Sequence, residues 1–276
     1  MSILFTVLGS GSAGNSSYLE YGETRLLIDA GLSARQIRQR LAQIGRSPET
    51  LTGILITHEH SDHIDGLSVL GAKLKIPVFC NRLTRDGIED HLQTPLDYRL
   101  FATGSAFAVG SIGIESFTVP HDAQDPVGFL LHAGSFDLGF VTDLGHATKL
   151  VLERIRSSNL LVFETNHDVK MLQEDPRRPW SLKQRILSRH GHLCNEDAAE
   201  AIEQIMSSRL SHLFLGHLSR DCNRPELARR VIMKKLDQIG AHHVQLTVTD
   251  QATPTAILEI NPSPVPAATV PTASLR

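Results

Sequence analysis

The sequence is poor in cysteine, in aromatic residues, in long apolar runs and in net charge. Its three cysteines, Cys80, Cys194 and Cys222, lie far apart and form no Cys-x-x-Cys pair, which argues against a disulfide framework and is typical of a reducing compartment. No apolar stretch approaches the roughly 20 residues that a membrane-spanning helix needs. The formal net charge of -3 excludes a strongly basic protein, but it does not exclude a local basic stripe.

Chain length and the composition of the two ends predict the domain organisation. With 276 residues, 41% of them hydrophobic, the chain can bury one sizeable core, and we expect one domain over residues 1–260. Residues 1–8 form an apolar run without a preceding basic residue or a small-residue cleavage site, so we expect a first strand instead of a signal peptide, and a cytoplasmic protein. Residues 261–276 are rich in Pro, Ala, Thr and Ser without periodicity, which predicts a disordered tail.

Short apolar, β-branched runs bounded by Gly, Asp or Pro recur along the chain and predict about a dozen strands. These strands are expected at residues 3–8, 17–21, 25–29, 53–57, 77–80, 112–119, 127–132, 136–142, 160–164, 211–216, 244–249 and 255–260. Helical periodicity is found at residues 34–44, 64–74, 83–91, 148–157, 182–188, 196–206 and 225–239. Asn195 is the expected N-cap of the helix that begins at residue 196. Strands interleaved with helices in this way favour an α/β fold in which two sheets pack together with helices outside.

Histidine, in contrast, is abundant, with 14 residues. Three of them lie in the segment 57–63, Thr-His-Glu-His-Ser-Asp-His, directly after an apolar strand. His58, His60 and His63, together with the carboxylate of Asp62, offer the nitrogen and oxygen ligands that Zn, Mn or Fe accept. The alternative is a polar turn with surface histidines, which the metal-motif spacing disfavours.

Further candidate ligands share one position relative to the predicted strands. His121, Asp143 and His217 each stand at the C-terminal end of an apolar strand. This is the place where sheet-based α/β folds commonly hold their ligands. Any one of these residues alone would be an ordinary strand-end residue, but the three of them after the histidine cluster predict a shared metal site.

In this order, H-x-H-x-D-H, His, Asp, His, the sequence resembles the metallo-β-lactamase superfamily over residues 3–260. The resemblance implies a four-layer αββα sandwich with the site at one edge. It also implies two divalent metal ions, one held by His58, His60 and His121 and the other by Asp62, His63 and His217. Asp143 would bridge the two ions.

Two such metal ions define the expected reaction. Placed about 3.5 to 4 Å apart, they lower the pKa of a shared water, so that a metal-bridged hydroxide can attack an ester or phosphodiester. Asp62 is expected among the catalytic groups as well as among the ligands. The leaving group needs a proton, and His192 is the candidate for this acid or for a phosphate contact, because nucleases of the superfamily such as ribonuclease Z have a comparable Gly-His motif. A loop histidine without catalytic duty is the alternative.

Asn166 and His167 also follow a strand, and we expect them to support the ligands or contact substrate.

A glycine-rich motif near the N-terminus suggests a nucleotide cofactor but fails in its context. Residues 9–14, Gly-Ser-Gly-Ser-Ala-Gly, fit G-x-G-x-x-G, with Asp29 at a suggestive distance. The segments that follow predict a hairpin and not the helix N-terminus that receives a pyrophosphate, so we expect no nucleotide cofactor. The loop is expected instead to form part of the active-site floor. Asp29 matches the family carboxylate that supports the metal-binding loop, and a simple turn residue before Gly31 is an equal interpretation.

Further motifs resemble the YycJ/WalJ subfamily, bacterial metallo-β-lactamase-fold exonucleases that act on DNA. They are Leu-Gly-Ser-Gly-Ser-Ala-Gly-Asn-Ser-Ser at 8–17, Pro-His-Asp-Ala at 120–123, Asp-Pro-Val-Gly-Phe at 125–129, Asn-His-Asp at 166–168, and His-Leu-Ser at 217–219 followed by Asn223 and Pro225. The resemblance implies a 5′ to 3′ DNA exonuclease in which Ser219 and Asn223 support the site or contact substrate. Cys222 stands where the subfamily pattern has a second Asn, at a residue expected to contact phosphate or sugar.

Basic residues give modest separate support for a nucleic-acid partner. Arg177, Arg178 and Arg185 surround the only tryptophan, Trp180, as in a basic groove with a stacking aromatic residue. A solvated basic helix is an equal interpretation. The sequence does not identify a protein partner, and it predicts no membrane partner.

Other activities of the same fold stay open. A thioester or lactone hydrolase, an RNA-processing nuclease and a catalytically silent metal-binding protein are the alternatives. The stretch between His121 and Asp143 is too short for the tRNA-binding arm expected in a typical ribonuclease Z. The stretch between Asp143 and His217 is too short for the large inserted domain of the β-CASP nucleases.

Overall fold

The computed structural model describes residues 1–261 and contains two β-sheets of seven strands each. One apolar cluster lies between the sheets, and two further clusters lie between a sheet and the helices outside it. The layers are therefore helix, sheet, sheet and helix, and the αββα fold predicted from the sequence is confirmed. The predicted disordered tail lies, apart from its first residue, outside the described residues.

The first sheet consists of β1 (Ile3–Gly9), β2 (Ser16–Tyr21), β3 (Thr24–Ile28), β4 (Gly53–Leu55), β5 (Val78–Cys80), β6 (Tyr98–Leu100) and β14 (Leu258–Ile260). Their order is β14-β1-β2-β3-β4-β5-β6, antiparallel from β14 to β3 and parallel from β3 to β6. Gly22, with φ 60°, lies in the tight turn that joins β2 to β3. The glycine loop therefore leads into a hairpin, as predicted.

The second sheet consists of β7 (Ala106–Val109), β8 (Ile112–Thr118), β9 (Val127–Ala133), β10 (Phe136–Val141), β11 (Leu160–Glu164), β12 (His212–Gly216) and β13 (Gln245–Val248). The order is β13-β12-β11-β10-β9-β8-β7, antiparallel from β7 to β10 and parallel from β10 to β13. Because β10, β11 and β12 run in the same direction, the residues that follow them meet at one edge of the sheet.

The helices of residues 1–261 form the outer layers. They are α1 (Ala34–Gln43), α2 (Ser61–Ile64), α3 (Leu67–Leu70), α4 (Arg82–Leu92), α5 (Lys149–Ile155), α6 (Val169–Glu174), α7 (Trp180–Ile186), α8 (Asn195–Ile205) and α9 (Pro225–Gln238). Apolar residues of α1, α3 and α4 pack on the first sheet, and those of α5, α8 and α9 pack on the second. Within residues 1–261 there is no helix whose length and hydropathy would let it cross a membrane.

The predicted elements differ from the structure at a few places. The short strands β6 and β7 and the helix α6 were not predicted. The helix expected at residues 64–74 is shorter, and only α3 and the end of α2 fall in that range. The prediction of Asn195 as an N-cap is wrong, because the sulfur of Cys194 accepts the capping hydrogen bond from the backbone of Asp197. Asn195 is instead the first, fully buried residue of α8.

Candidate metal centre

All seven residues predicted as metal ligands lie together at one edge of the sandwich, in the segments that follow β4, β8, β10 and β12. They form overlapping groups in which the potential ligand atoms lie within 4.8 Å of one another. Three groups consist of predicted ligands alone, namely His58, His60 and His121; His58, His63 and Asp143; and Asp62, His63 and His217. The second of these joins the other two, so Asp143 lies between the two halves of the cluster. A fourth group adds Glu164 and His192 to Asp143 and His217.

The segment after β4 approaches the rest of the first sheet so closely that one position requires glycine. A Cβ atom on Gly31 would lie 1.6 Å from the carbonyl oxygen of Asp62. The close approach lets the backbone N–H of Asn15 donate to Asp62 and that of Ala30 donate to His63, each over 2.8 Å. The backbone of the histidine cluster is therefore fixed before any ligand binds.

Two histidines of this segment are oriented by partners at one ring nitrogen. Nδ1 of His58 lies 3.0 Å from the hydroxyl of Thr57, and Nδ1 of His63 lies 2.8 Å from a carboxylate oxygen of Asp29. Asp29 is fully buried and also accepts hydrogen bonds from the backbone N–H and the hydroxyl of Thr57. With Nδ1 engaged, Nε2 of each ring faces other residues of the cluster, 3.0 Å from Nδ1 of His60 for His58 and 3.1 Å from Asp143 for His63.

His121 and His217, from the second sheet, are oriented in the same way. Nδ1 of His121 donates to the carbonyl oxygen of Gly191 over 3.0 Å, and Nδ1 of His217 donates to Glu164 over 2.8 Å. Their Nε2 atoms are buried and have no hydrogen-bond partner among residues 1–261. The same is true of Oδ2 of Asp143, although it lies 3.1 Å from a ring nitrogen of His63. Buried polar atoms of this kind are costly unless a ligand satisfies them, so these residues fit a metal ion.

Glu164, the last residue of β11, has no role assigned by the sequence analysis, but it lies at the centre of the hydrogen-bond network. Its fully buried Oε1 accepts hydrogen bonds from Nδ1 of both His192 and His217, each over 2.8 Å. Oε2 accepts from the backbone of Leu144 and Leu193. Burial would raise the pKa of Glu164, but the two histidines outweigh it and lower the pKa to about 2. The sequence did contain a signal for this role, since Glu164 is an acidic residue at the end of an otherwise apolar strand.

Burial and neighbouring charges shift the pKa values of the histidines in different directions. Burial lowers the pKa of His58 and of His121, so both rings are neutral and can bind a metal ion through a lone pair. Burial acts in the same sense on His63, but the carboxylate of Asp29 outweighs it and raises the pKa. A metal ion at His63 would therefore displace a proton.

Three residues of the site have a left-handed backbone. The φ angles are 61° at Asp29 and 55° at His217, directly after β3 and β12, and 54° at Asp143, two residues after the end of β10. Such angles cost residues with a side chain on the order of 1–3 kcal/mol each. At His217 the backbone N–H donates to the hydroxyl of Ser10, and the carbonyl oxygen accepts from the side chain of Asn166. Hydrogen bonds thus hold the strained turn that directs this side chain into the site.

His192 lies beside the predicted ligands. Its Nδ1 is 2.8 Å from Glu164 and 3.6 Å from Asp143, and its side chain is 22% exposed. Burial would lower the pKa of His192, but Glu164 outweighs it and raises the pKa. The loop can turn into the site because residue 191 is glycine: a Cβ atom on Gly191 would lie 2.1 Å from the carbonyl oxygen of Ile186.

The residues predicted to support ligands or contact substrate divide into two pairs. Asn166 and Ser219 line the cavity above the predicted ligands, whereas His167 and Asn223 do not. His167 is buried, which lowers its pKa to about 4. Asn223 and Asn195 exchange two hydrogen bonds between their side-chain amides, over 3.1 and 2.9 Å. Asn223 therefore ties α8 to the segment after β12.

A cavity of about 340 Å³ opens above the ligand cluster, a volume within the usual range for small-molecule sites. It is lined by Ser12, His60, Asp62, His121, Asp122, Asp143, Asn166, Arg178, Leu182, Arg185, Ile186, His190, Gly191, His192, His217 and Ser219. Ser12 belongs to the glycine loop, which contributes to the cavity as predicted.

Of the residues predicted to contact nucleic acid, Arg178 and Arg185 line this cavity, whereas Arg177 and Trp180 do not. Trp180 is 60% exposed at the start of α7. Each arginine is paired with carboxylates. Arg177 and Arg178 contact Asp175 and Asp221, and Arg185 contacts Asp122. This basic face is therefore partly neutralised.

Comparisons with known proteins match the chain to one family and one fold. A model of the beta-lactamase superfamily domain matches residues 24–214. Exodeoxyribonuclease YycJ of Bacillus anthracis is 41% identical over 263 residues, which cover 93% of this chain and 99% of that protein. Exodeoxyribonuclease WalJ of Streptococcus pneumoniae is 39% identical, covering 91% of this chain and 96% of that protein. The crystal structure of the metallo-beta-lactamase fold protein YhfI from Bacillus subtilis has a TM-score of 0.71 at 15% identity, covering 94% of this chain and 99% of that one, which is a likeness of fold alone.

Proposed function

We propose, because the chain belongs to the beta-lactamase superfamily and within it to the YycJ/WalJ subfamily, that it is a two-metal phosphodiesterase that degrades DNA from the 5′ end. The observation that carries the proposal is the pair of ligand groups joined by Asp143 beneath one open cavity. The proposal includes one hydrolase domain over residues 1–260. It also includes a cytoplasmic location, which the three free, buried cysteines support.

The donor set determines which cofactor the site would take. His58, His60 and His121 would hold one divalent ion, Asp62, His63 and His217 a second, and Asp143 both. Imidazole and carboxylate ligands suit Zn, Mn or Fe. When bound, two such ions would activate a water and stabilise negative charge on a phosphodiester.

Side chains of the protein would supply the proton transfer and the contacts with the substrate. His192 holds a proton on Nδ1 towards Glu164, and its second ring nitrogen is available to the leaving oxygen or to a phosphate. Asp62, whose side chain is 22% exposed, can accept a hydrogen bond from an attacking water at the cavity floor. Asn166 and Ser219 would contact the substrate, whereas Asp29, His167 and Asn223 would act by positioning the loops.

Nucleic-acid contacts are expected mainly from the cations that face the cavity. Arg178 and Arg185 would grip phosphates next to the scissile bond. Their carboxylate partners Asp175, Asp221 and Asp122 must be displaced or shared when a phosphate binds, which moderates affinity and favours a substrate with several phosphates. Arg177 and Trp180 lie outside the cavity and would contact the part of the DNA strand that extends beyond it.

One experiment separates the alternatives. Metal-reconstituted protein is incubated with 5′-labelled linear DNA, a covalently closed DNA circle, RNA of the same sequence, a thioester and a lactone. We expect mononucleotides or very short products from linear DNA at the earliest times, and an intact circle. Internal cuts in the circle would indicate an endonuclease, faster hydrolysis of RNA would indicate an RNA-processing enzyme, and turnover of the thioester or lactone alone would indicate a small-molecule hydrolase.

A further inference from the structure

A second cavity, of about 370 Å³, lies next to the cavity over the ligand cluster. The two cavities share Ser12, Arg178 and Ser219 in their linings, so they adjoin each other. The second cavity contains none of the predicted metal ligands. A molecule bound across both would therefore have one part at the metal centre and another part in a separate compartment.

The lining of the second cavity combines an apolar wall with one available cation. Ala13, Leu218 and Pro225 form the apolar part. Arg220 is exposed and, among residues 1–261, forms no ion pair. Arg178, at the junction of the cavities, is in contrast neutralised by carboxylates. Two carboxylates also line the cavity, but Asp221 pairs with Arg177 and Arg178, and Asp250 accepts hydrogen bonds from the backbone of residues 252 and 253. Apolar surface together with an unpaired guanidinium suits a nucleobase joined to a phosphate.

One wall of the second cavity is held by a network of hydrogen bonds. The side chain of Gln251 accepts a hydrogen bond from the backbone of Ala13 over 2.9 Å and donates to the carbonyl oxygen of Gly14 over 2.7 Å. The guanidinium of Arg40 donates to the backbone carbonyl of Gln251, and the backbone of Ser10 donates to Asp250. The glycine loop and residues 249–251 thus form one braced wall of the second cavity.

From this arrangement we propose that the second cavity receives the terminal nucleotide of the DNA strand, while the next phosphodiester lies over the ligand cluster. The terminal 5′-phosphate pairs with Arg220, and the base packs against Ala13, Leu218 and Pro225. Only a strand end carries the terminal phosphate that pairs with Arg220, so the cavity recognises an end and not an internal segment. This inference rests on the proposed function and adds the element that makes the cleavage exonucleolytic.

Two variants test the assignment without touching the ligand cluster. Arg220→Gln removes the cation, and Ala13→Phe fills the space for the base, with Ala13→Ser as its conservative counterpart. Arg35→Gln, at an exposed arginine of α1 on the other outer layer, is the matched charge control. The substrates are one DNA strand with a 5′-phosphate, the same strand with a 5′-hydroxyl, and bis(p-nitrophenyl) phosphate, a small diester that needs only the first cavity.

The wild type is expected to prefer the 5′-phosphorylated strand. Arg220→Gln should raise KM for that strand about tenfold or more and abolish the preference, because a charge-assisted hydrogen bond is lost. Ala13→Phe should raise KM for both strands. Arg220→Gln and Arg35→Gln should hydrolyse bis(p-nitrophenyl) phosphate at the wild-type rate, and thermal unfolding of all variants shows that they fold.

The experiment distinguishes failure of the proposed function from failure of this inference alone. If the wild type does not degrade DNA from a 5′ end, the proposed function and the inference both fall. If it does, but Arg220→Gln behaves like Arg35→Gln and Ala13→Phe like Ala13→Ser, the terminal nucleotide binds elsewhere and the inference alone is overturned.

Discussion

At the scale of single residues, the site depends on buried carboxylates that are not themselves predicted ligands. Asp29 and Glu164 are both fully buried, and each accepts a hydrogen bond from the Nδ1 atom of a predicted ligand, His63 and His217 respectively. Such partners fix the ring orientation and strengthen the histidine as a ligand. Glu164 in addition holds His192, so one carboxylate orients a metal ligand and a candidate acid together.

Replacing Glu164 with Gln should weaken metal binding about 10- to 100-fold. An amide has a single acceptor oxygen, so it satisfies either the two histidines or the backbone of Leu144 and Leu193, and its NH2 group meets the other pair of donors. Metal titration followed by calorimetry measures the effect. The exposed Glu200→Gln on α8 is the control, and equal metal affinities for the two variants would show that Glu164 does not position the ligands.

Replacing His192 with Ala should leave the metal content intact and slow DNA hydrolysis on the order of 10²- to 10⁴-fold, because positioned proton transfer contributes that much. Elemental analysis and single-turnover rates are the two measurements. His242→Ala, an exposed histidine far along the chain, should change neither. Loss of one metal equivalent in the His192 variant would make His192 a ligand and our assignment wrong.

At the scale of elements, side chains at helix ends connect the layers to one another. Arg46, just after α1, donates from Nε and Nη2 to the two carboxylate oxygens of Glu20 on β2, over 2.5 and 3.1 Å. Tyr18 donates to the same carboxylate over 2.5 Å. Burial would raise the pKa of Glu20, but these donors outweigh it and lower the pKa below 4.5. The ionised form is therefore the one that fixes α1 to the sheet.

Replacing Arg46 with Ala should lower the free energy of unfolding by about 1–2 kcal/mol at pH 7, less than for a fully buried pair because Arg46 is 30% exposed. Because the pKa of Glu20 is lowered on folding, the stabilisation is fully present above pH 4.5 and is lost as the pH falls through the pKa of the folded state. Denaturant titrations at pH 7 and at successively lower pH measure the difference.

The control for this prediction is Arg38→Ala. Arg38 pairs with Glu49, but both side chains are about half exposed, so its loss should cost little at any pH. A difference between wild type and Arg46→Ala that does not shrink in acid would show that packing of the arginine stem, not the ion pair, holds α1.

A second prediction at this scale concerns α7, whose Arg185 lines the cavity over the ligand cluster. Arg185→Gln should raise KM for DNA and flatten the slope of log KM against log salt by about one. The slope becomes flatter because the variant contacts one phosphate fewer, so that DNA binding releases fewer counterions. The rate for an uncharged thioester or for bis(p-nitrophenyl) phosphate serves as reference. Lys234→Gln on α9 makes the same charge change elsewhere, and an equal effect of both variants would indicate general electrostatics, not a contact.

At the scale of the whole molecule, the ligand cluster joins the two sheets. His58, His60 and His63 follow β4 of the first sheet, whereas His121, Asp143 and His217 follow strands of the second. Metal ions held by both groups would link the sheets at one edge of the sandwich. Binding free energy would then contribute to the stability of the fold, since the unfolded chain holds no such site.

Gently purified protein should therefore contain close to two metal equivalents, and their removal should lower Tm. A metal present at 1,000 times its Kd stabilises a fold by about 4 kcal/mol. Thermal unfolding with chelator, and again after addition of Zn or Mn, measures the change. In an Asp143→Ala variant the chelator should have a smaller effect. A single firm equivalent, or a Tm that chelation leaves unchanged, would contradict the two-ion site.

The fold and the ligand positions could be predicted because they follow from local sequence. His217 directly follows the apolar strand β12, Asp143 stands two residues after the end of β10, and His121 stands three residues after the end of β8. The structure brings these residues together as the strand-end argument expects. The same argument applied to Glu164 would have placed it at the same edge, because it closes β11.

What the sequence does not reveal are relationships between distant segments. The role of Glu164 depends on His192 and His217, which are 28 and 53 residues away. The pairing of arginines 177, 178 and 185 with aspartates likewise depends on tertiary contacts. β6 and β7 are short strands at sheet edges with mostly half-buried or exposed residues, so they lack the apolar run that marks a buried strand.

The left-handed turns at Asp29, Asp143 and His217 have a consequence for laboratory evolution. Glycine would adopt those backbone angles without strain, so the metal-free chain can gain stability at these positions, whereas in the metal-loaded protein the loss of Asp143 or His217 also removes the stabilisation that bound metal supplies. Selection for heat resistance in the presence of a chelator should therefore accumulate glycine or asparagine there and yield robust, inactive chains. Selection that also demands turnover should leave all three positions untouched, and the difference between the two outcomes measures how much stability this molecule sacrifices for catalysis.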